Sequence, residues 1–152
     1  MDQQTMEARP VDVFEQEPID SMYGLEAALR RFPDLHVRFS EGPSADLAET
    51  SRDAESGLEL PGLSVDPLQP EPWWHRPVSD WLARQLRRYR RPADRDSGRF
   101  AWVLTGRMEG RGAECEPLLA DTVAVARLSP RLLEEAEQHY LRHFDAGEAP
   151  AA

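Results

Sequence analysis

Two histidines near the end of the chain have the spacing of metal ligands. His139 and His143 are four residues apart in a segment of helical periodicity, so their side chains project from nearly the same side. Zinc proteases place a general-base glutamate between two such histidines, but here Tyr140 follows His139. No third ligand is obvious nearby in the sequence. The sequence therefore predicts two partly exposed histidines beside a core-facing stripe, and no metal site.

A second group of candidates combines arginines on one predicted helix with tryptophans on that helix and before it. The group consists of Arg84, Arg87, Arg88, Arg90, Arg91, Trp73, Trp74 and Trp81. Guanidinium groups bind phosphate or carboxylate through paired hydrogen bonds, and indole rings can stack on a planar ligand. Solvated arginines and a tryptophan cluster packed under a loop are the simpler interpretation. The functional hypothesis is a binding face that uses Trp73, Trp74, Arg84, Arg87 and Arg88.

The sequence gives little support for nucleophilic catalysis. Cys115 lies between Glu114 and Glu116, and neighbouring carboxylates disfavour the reactive thiolate form of a cysteine. Ser64 follows Gly-Leu and does not occupy the Gly-x-Ser-x-Gly turn of hydrolases. The chain contains neither a P-loop nor a dinucleotide-binding glycine motif. These observations favour a non-catalytic protein without a cofactor.

The composition is that of one globular domain with an uneven charge distribution. Of the 152 residues, 40% are hydrophobic and 30% are charged, which is enough apolar material for a core. The net charge of −10 argues against general nucleic-acid binding, although arginines outnumber acids between residues 76 and 111. The chain has no apolar run of membrane-spanning length, no signal-peptide pattern and a single cysteine. We therefore expect a cytoplasmic protein without membrane contact; the oligomeric state stays open.

The spacing of apolar and turn residues predicts an α+β domain. Helices are expected at residues 21–32, 77–91 and 129–146, ended by Pro33, Pro92 and Gly147. Asp20 or Ser21 can cap the first helix, and Ser129 can cap the last, with Pro130 at its first position. Strands are expected at residues 35–39, 62–66, 100–105 and 118–126, the last two joined by a long turn at 106–117. Residues 46–56 are predicted to form a polar helix or a loop, and residues 93–98 are predicted to form a surface loop. The order of elements fits about three helices packed on a small, partly antiparallel sheet.

A proline- and tryptophan-rich stretch, residues 56–81, leads into the second predicted helix. It contains five of the thirteen prolines and three of the four tryptophans, so we predict an ordered loop packed by its own aromatic rings. Residues 1–18 are acidic and lack periodicity, and residues 147–152 follow the last helix. We predict a mobile arm and a frayed tail around one domain at residues 19–146.

Four short strings give the chain a distinctive appearance: RFSEGPSAD at 38–46, ELPGLSV at 59–65, EPWW at 71–74 and WVLTG at 102–106. Together they resemble a family of small uncharacterised proteins from GC-rich bacteria, over roughly residues 35–144. The resemblance implies a single soluble domain, and it implies no activity.

The order of three polar positions is similar to that in ADP-ribosyltransferases of the Arg-Ser-Glu type. Arg38 lies on the first predicted strand, Ser64 on the second, and Glu114-Cys-Glu116 leads into a later strand. The resemblance implies NAD as substrate, with Arg38 on the pyrophosphate, Glu116 stabilising the oxocarbenium-like centre and Glu114 orienting the acceptor. The chain departs from that pattern, because Leu63-Ser64-Val65 replaces the Ser-Thr-Ser triplet and the helix at 77–91 is long for that fold.

Three hypotheses for the function follow. The leading one is a non-catalytic binding domain for a small anionic ligand or a protein partner. The second is an NAD-dependent ADP-ribosyltransferase-like enzyme. The third is an acidic interaction protein that caps a basic partner, as inhibitors of basic enzymes do.

Overall fold

The computed structural model describes residues 13–48, 51–95 and 98–144, in which helices and strands are interspersed. In chain order the elements are α1 (Met22–Arg31), β1 (His36–Ser40), α2 (Pro43–Ala48), β2 (Leu63–Ser64), β3 (Asp66–Pro67), α3 (Val78–Leu86), α4 (Arg90–Arg95), β4 (Phe100–Arg111), β5 (Pro117–Arg127) and α5 (Pro130–His143). A 3₁₀ turn, Arg87–Tyr89, links α3 to α4. The predicted tail at 147–152 and residues 1–12 of the predicted arm lie outside the described residues.

The five strands found in the described residues form one antiparallel sheet in the order β2-β5-β4-β1-β3. Its centre is the hairpin of β4 and β5, and Val37 of β1 lies opposite Val103 of β4. β2 and β3 are at opposite edges of the sheet, yet only Val65 separates them in the chain. Because one residue spans only about 3.5 Å, the sheet has to curl until its edges meet. This curl brings β1 close to β2.

The main hydrophobic core lies between the sheet and α1, α3 and α5. Val103 and Val125 face it from the hairpin, and Leu25, Leu82 and Leu132 face it from the three helices, all with no exposed surface. Burial of each leucine contributes roughly 1.5–3 kcal/mol relative to an exposed position. The predicted α+β class, with helices packed on a small antiparallel sheet, is confirmed.

A smaller apolar cluster lies on the opposite face of the sheet. It consists of Val65, Trp102, Leu104 and Leu119. Trp102 and Leu104 alternate with Val103, and alternation along a strand puts them on the other face. Phe14 contacts Trp102 edge to face at 6.2 Å, and Gln16 N donates to Val125 O at 2.8 Å. Residues 13–16 thus lie against the sheet.

The helix starts follow the predicted capping residues. Ser21 Oγ accepts a hydrogen bond from Gly24 N at 3.0 Å, and Ser129 Oγ accepts one from Leu132 N at 3.1 Å before Pro130 begins α5. The predicted cap Ser129 is confirmed, and of the two predicted alternatives for α1, Asp20 and Ser21, the structure uses Ser21. The predicted end at Gly147 lies outside the described residues. Within the described ranges, no helix combines the length and the apolar character that crossing a membrane requires.

Two predicted boundaries are wrong. Pro92 does not end the helical segment, because a new helix, α4, begins at Arg90 directly after the 3₁₀ turn. Pro92 lies in the first turn of α4, where a residue without an N–H group is tolerated. Residues 93–95 are therefore helical. The prediction of a long turn at 106–117 is also wrong, since β4 continues through bulges as far as Arg111. A Cβ at Gly106 would lie 3.0 Å from Ala120 O, so glycine here allows close strand pairing.

Candidate functional site

The candidate site begins at the turn between β4 and β5. Gly112 N donates to Glu116 O at 2.8 Å and closes the turn. The Glu116 carboxylate lies directly against Gly112, where a Cβ would overlap it. One carboxylate oxygen accepts from Glu114 N at 3.0 Å, and the other accepts from Ser64 Oγ at 2.9 Å. With a donor on each oxygen, the Glu116 carboxylate has a defined orientation.

Ser64 connects Glu116 to Arg38 at the point where the curled sheet closes. Arg38 Nη1 donates to Ser64 O at 2.8 Å, while Ser64 Oγ donates to Glu116. We call this meeting of β1 and β2 the seam. Arg38, Ser64 and Glu116, which lie far apart in the sequence, therefore belong to one hydrogen-bonded series. Glu114 lies beside Glu116 with its side chain exposed.

Asp46 of α2 determines the orientation of Arg38. Its carboxylate accepts from Arg38 Nε at 2.7 Å and from Nη2 at 3.2 Å, a bidentate pair. Ser40 Oγ also donates to Asp46, at 2.8 Å, and accepts from Trp102 Nε1 at 3.0 Å. Asp46 and Ser64 together engage three of the five guanidinium N–H groups of Arg38. The charge of Arg38 is therefore largely balanced by Asp46.

A cleft of about 610 Å³, which we call the acidic cleft, opens on one side of the seam. The charged residues that line it are Arg38, Arg52, Asp53, Glu55, Glu114 and Glu116. Hydrogen bonds from Ser56 hold the pKa of Asp53 below its ordinary value, so this carboxylate is ionised at neutral pH. Carboxylates outnumber guanidinium groups in this lining, and the cleft favours a cationic group.

A second cleft of about 360 Å³, which we call the basic cleft, also has Arg38 and Ser64 in its lining. Its other charged residues are Asp66, Arg88 and Arg99. Arg88 Nη1 lies 3.4 Å from Asp66 Oδ2, and Arg99 Nη2 donates to Phe39 O at 3.0 Å. Three guanidinium groups face one carboxylate here, so this cleft favours an anionic group. The seam thus separates two clefts of opposite charge.

Tyr89 stabilises the wall of the basic cleft. Its hydroxyl donates to Asp66 Oδ2 at 2.6 Å, and its ring stacks on Phe39 with 5.7 Å between the centroids. Burial, reinforced by the negative charge of Asp66, raises the pKa of Tyr89 well above its ordinary value. The hydroxyl therefore stays protonated and continues to donate to Asp66.

The predicted aromatic loop is ordered and packed by its own rings. Trp74 and Trp81 lie edge to face at 5.1 Å, and Trp73 contacts both at 6.1 Å. Trp73 remains 66% exposed, whereas Trp81 is buried. Arg76 links the loop to the end of α5, because its Nη2 donates to His143 O at 2.8 Å. Trp73 is accordingly an exposed apolar group on an ordered support.

The arginines predicted to act together with this loop have different neighbours. Arg84 lies over the Trp81 ring at 5.5 Å, and Arg87 lies over the Tyr140 ring at 4.1 Å. Arg88 instead lines the basic cleft, beside Asp66. The five residues of the predicted binding face are thus divided between the aromatic loop, the surface of α5 and the basic cleft.

Three residues around the candidate site were missed by sequence reasoning: Asp46, Arg99 and Gly112. Asp46 reaches the site only because α2 folds against β1, and Arg99 only because the residue before β4 lies beside Phe39. No local pattern marks either residue. Gly112 carried a usable signal, because a glycine in a hairpin turn beside a candidate carboxylate indicates close packing.

The described residues thus define a single α+β domain with a polar seam between two clefts of opposite charge. The chain belongs to the family of unknown function DUF6098, whose model matches residues 14–149. This confirms the resemblance to an uncharacterised family. Comparisons with curated proteins and with solved structures gave no match.

Proposed function

We propose that the protein is a binding domain whose small ligand spans the seam, with a cationic part in the acidic cleft and an anionic part in the basic cleft. The observation that carries the proposal is the position of Arg38 and Ser64 in the walls of both clefts. On one side the ligand meets the oriented carboxylate of Glu116, and on the other it meets Arg88 and Arg99. A ligand with one sign of charge would complement only half of this surface.

The volumes of the clefts suit a ligand of moderate size. Ligand sites commonly have volumes of roughly 300–1,000 Å³, and each cleft lies within that range. NAD has the required charge distribution, because its nicotinamide ring is cationic and its pyrophosphate is anionic. In this arrangement the nicotinamide riboside lies beside Glu116 and the pyrophosphate beside Arg38, Arg88 and Arg99. The sequence resemblance suggested the same roles for Arg38 and Glu116.

Probes that carry one half of this charge pattern test the proposal. Agmatine offers a guanidinium and an amine, whereas inorganic pyrophosphate offers only negative charge. We expect Glu116→Gln to weaken agmatine binding by roughly tenfold or more, since a charge-assisted hydrogen bond is lost. Arg88→Gln should weaken pyrophosphate binding and leave agmatine binding unchanged. NAD binding should respond to both substitutions, as measured by titration calorimetry.

Control variants separate the clefts from general surface charge. Glu134→Gln and Arg131→Gln change exposed residues of α5 by the same charges, and both should bind every probe like the wild type. Gly112→Ala would displace the Glu116 carboxylate without removing its charge, whereas Gly110→Ala adds a methyl group to open space. Equal agmatine affinity in Gly112→Ala and Gly110→Ala would count against the role of Glu116.

A second candidate function, ADP-ribosyl transfer, is favoured by the orientation of Glu116. When the bond between C1′ of the ribose and the nicotinamide nitrogen breaks, nicotinamide leaves with the electron pair. The ribose becomes oxocarbenium-like, and a carboxylate with a defined orientation stabilises it until water or an acceptor attacks C1′. Glu114, whose side chain is exposed beside Glu116, would orient such an acceptor. The pairing of Arg38 with Asp46 weakens its attraction for pyrophosphate, so this function depends on Arg88 and Arg99 as well.

Nicotinamide release distinguishes the enzyme from the non-catalytic binding domain. If the protein is an enzyme, wild type releases nicotinamide from NAD, while Glu116→Gln still binds NAD but loses most of its turnover. Glu134→Gln should keep wild-type turnover. NAD binding without release in the wild type would eliminate the transferase and leave the binding domain. Absence of binding by NAD, agmatine and pyrophosphate would eliminate both.

Protein partners remain a separate part of the proposal. A basic partner that presents an arginine side chain would use the acidic cleft as agmatine does, which is the chemistry of the interaction-protein hypothesis. The exposed ring of Trp73, which packs against Trp74 and Trp81, offers an anchor of the kind that is frequent at protein interfaces. We place the protein in the cytoplasm in this proposal, because the sequence contains a single cysteine.

A further inference from the structure

The fold provides the two histidines of α5 with a third polar neighbour. Asp80 of α3 lies against them, and His139 Nε2 is 2.8 Å from Asp80 Oδ1. The rings of His139 and His143 are stacked, with 4.2 Å between their centroids. Among the described residues, candidate ligand atoms of Asp80, His139 and His143 all lie within 4.8 Å of one another. Two imidazoles and one carboxylate form a frequent ligand set for zinc.

Asp80 is in a setting typical of a ligand held by a supporting group. Its side chain is only 6% exposed, and Arg76 Nε donates to its second oxygen, Oδ2, at 3.0 Å. Arg76 therefore orients the carboxylate and leaves Oδ1 directed at His139. Supporting hydrogen bonds of this kind are usual around metal ligands.

We propose that Asp80, His139 and His143 bind one divalent transition-metal ion, with Zn²⁺ the best match, between α3 and α5. Asp80 Oδ1 and His139 Nε2 move apart slightly to admit the ion, and the exposed His143 turns toward it. Three protein ligands leave one tetrahedral position to water, because His143 lies at the exposed end of α5. The positively charged guanidinium of Arg76 repels the ion. Contacts with the rings of Trp74 and Phe144 keep this guanidinium on the Oδ2 side of the Asp80 carboxylate, away from the ion.

Titration of the metal-free full chain with Zn²⁺ and with Co²⁺ tests the site. We expect one ion per chain, a rise in melting temperature with Zn²⁺, and visible Co²⁺ bands of the intensity given by tetrahedral coordination. His143→Ala should weaken Zn²⁺ binding at least tenfold and abolish the rise in melting temperature. Because His143 is exposed, this variant should fold without the metal as the wild type does. Asp80→Asn tests the buried ligand, with circular dichroism as the check on folding.

His75→Ala provides the matched control, since it removes an exposed histidine from the aromatic loop. It should leave the stoichiometry, the affinity and the Co²⁺ spectrum unchanged. Equal Zn²⁺ affinity in wild type and His143→Ala, or the octahedral spectrum of hydrated Co²⁺ at saturation, would overturn the proposal. The metal experiments do not involve the clefts. Glu116→Gln should therefore bind Zn²⁺ like the wild type, whether or not the clefts bind the ligand proposed above.

Discussion

Individual polar side chains at the seam act through partners from distant parts of the chain. Ser64 illustrates this: its hydroxyl orients Glu116, its carbonyl accepts from Arg38, and its N–H donates to Ser51 Oγ at 3.1 Å. Each of these groups is only partly exposed, and a buried polar group without a partner destabilises by about 1–3 kcal/mol. The same contacts that orient the candidate site therefore also stabilise the fold.

The titration of a single residue, His36 of β1, makes the free energy of unfolding depend on pH. Burial lowers the pKa of His36 below its ordinary value, although the carbonyl of Asp34 and the charges of Asp34 and Asp66 act in the opposite direction. The unfolded chain therefore binds a proton at a pH where folded His36 does not. It follows that the free energy of unfolding falls as pH decreases through 6.5 toward the lower folded value.

Urea unfolding at about pH 7.5 and about pH 5.5 measures this effect, because the two values lie on either side of the ordinary histidine pKa. His36→Gln should lose less stability than the wild type between the two conditions. His75→Gln, which changes an exposed histidine, should lose as much as the wild type. A wild type whose stability is no lower at the acidic value would contradict the assignment.

At the scale of secondary structure, β2, one of two strands that contain only two residues, has a large role. β2 contains only Leu63 and Ser64, and it pairs with Leu119 and Leu118 of β5. The preceding Gly62 lies so close to β5 that a Cβ would be 2.9 Å from Leu119 O. Backbone atoms of a paired strand cannot move away without loss of hydrogen bonds. Gly62 thus permits the pairing that puts Ser64 beside Glu116.

Gly62→Ala should therefore separate β2 from β5. We expect a loss of about 1–3 kcal/mol in the free energy of unfolding, as is typical of overpacking, together with weaker agmatine binding. Gly110→Ala is the control, since its added Cβ meets nothing within 4 Å. That variant should be as stable as the wild type or slightly more stable. Denaturant unfolding would refute the argument if the two variants were equally stable.

At the scale of the whole molecule, curling of the sheet creates the candidate site. The edge strands β2 and β3 are consecutive in the chain, so the closure positions Arg38 of β1 against Ser64 of β2. The closure also separates charge. Carboxylates of the loop at 51–60 and of the β4–β5 turn line one cleft, whereas Arg88 of the 3₁₀ turn and Arg99, which precedes β4, line the other. The net charge of −10 conceals this division.

The amino-acid sequence by itself determined the elements with strong local signals. The signals for α1, for β1 and for the start of α5 at Ser129-Pro130 act within a few residues, and these elements were confirmed. Of the two predicted caps of α1, Asp20 and Ser21, the structure uses Ser21. The boundary errors arose where local signals are ambiguous. Pro92 is compatible with a helix end and with a new first turn, and glycine in a strand is compatible with a bulge and with a turn.

Only the tertiary structure decided which distant polar residues meet. Asp80 and His139 come together because α3 packs on α5, a contact over 59 positions that no periodicity reveals. Asp46 reaches Arg38 because α2 folds back over β1, and Ser64 reaches Glu116 because the curled sheet brings its edges together. Local propensities act over a single turn or strand, whereas such contacts depend on how buried apolar faces pack.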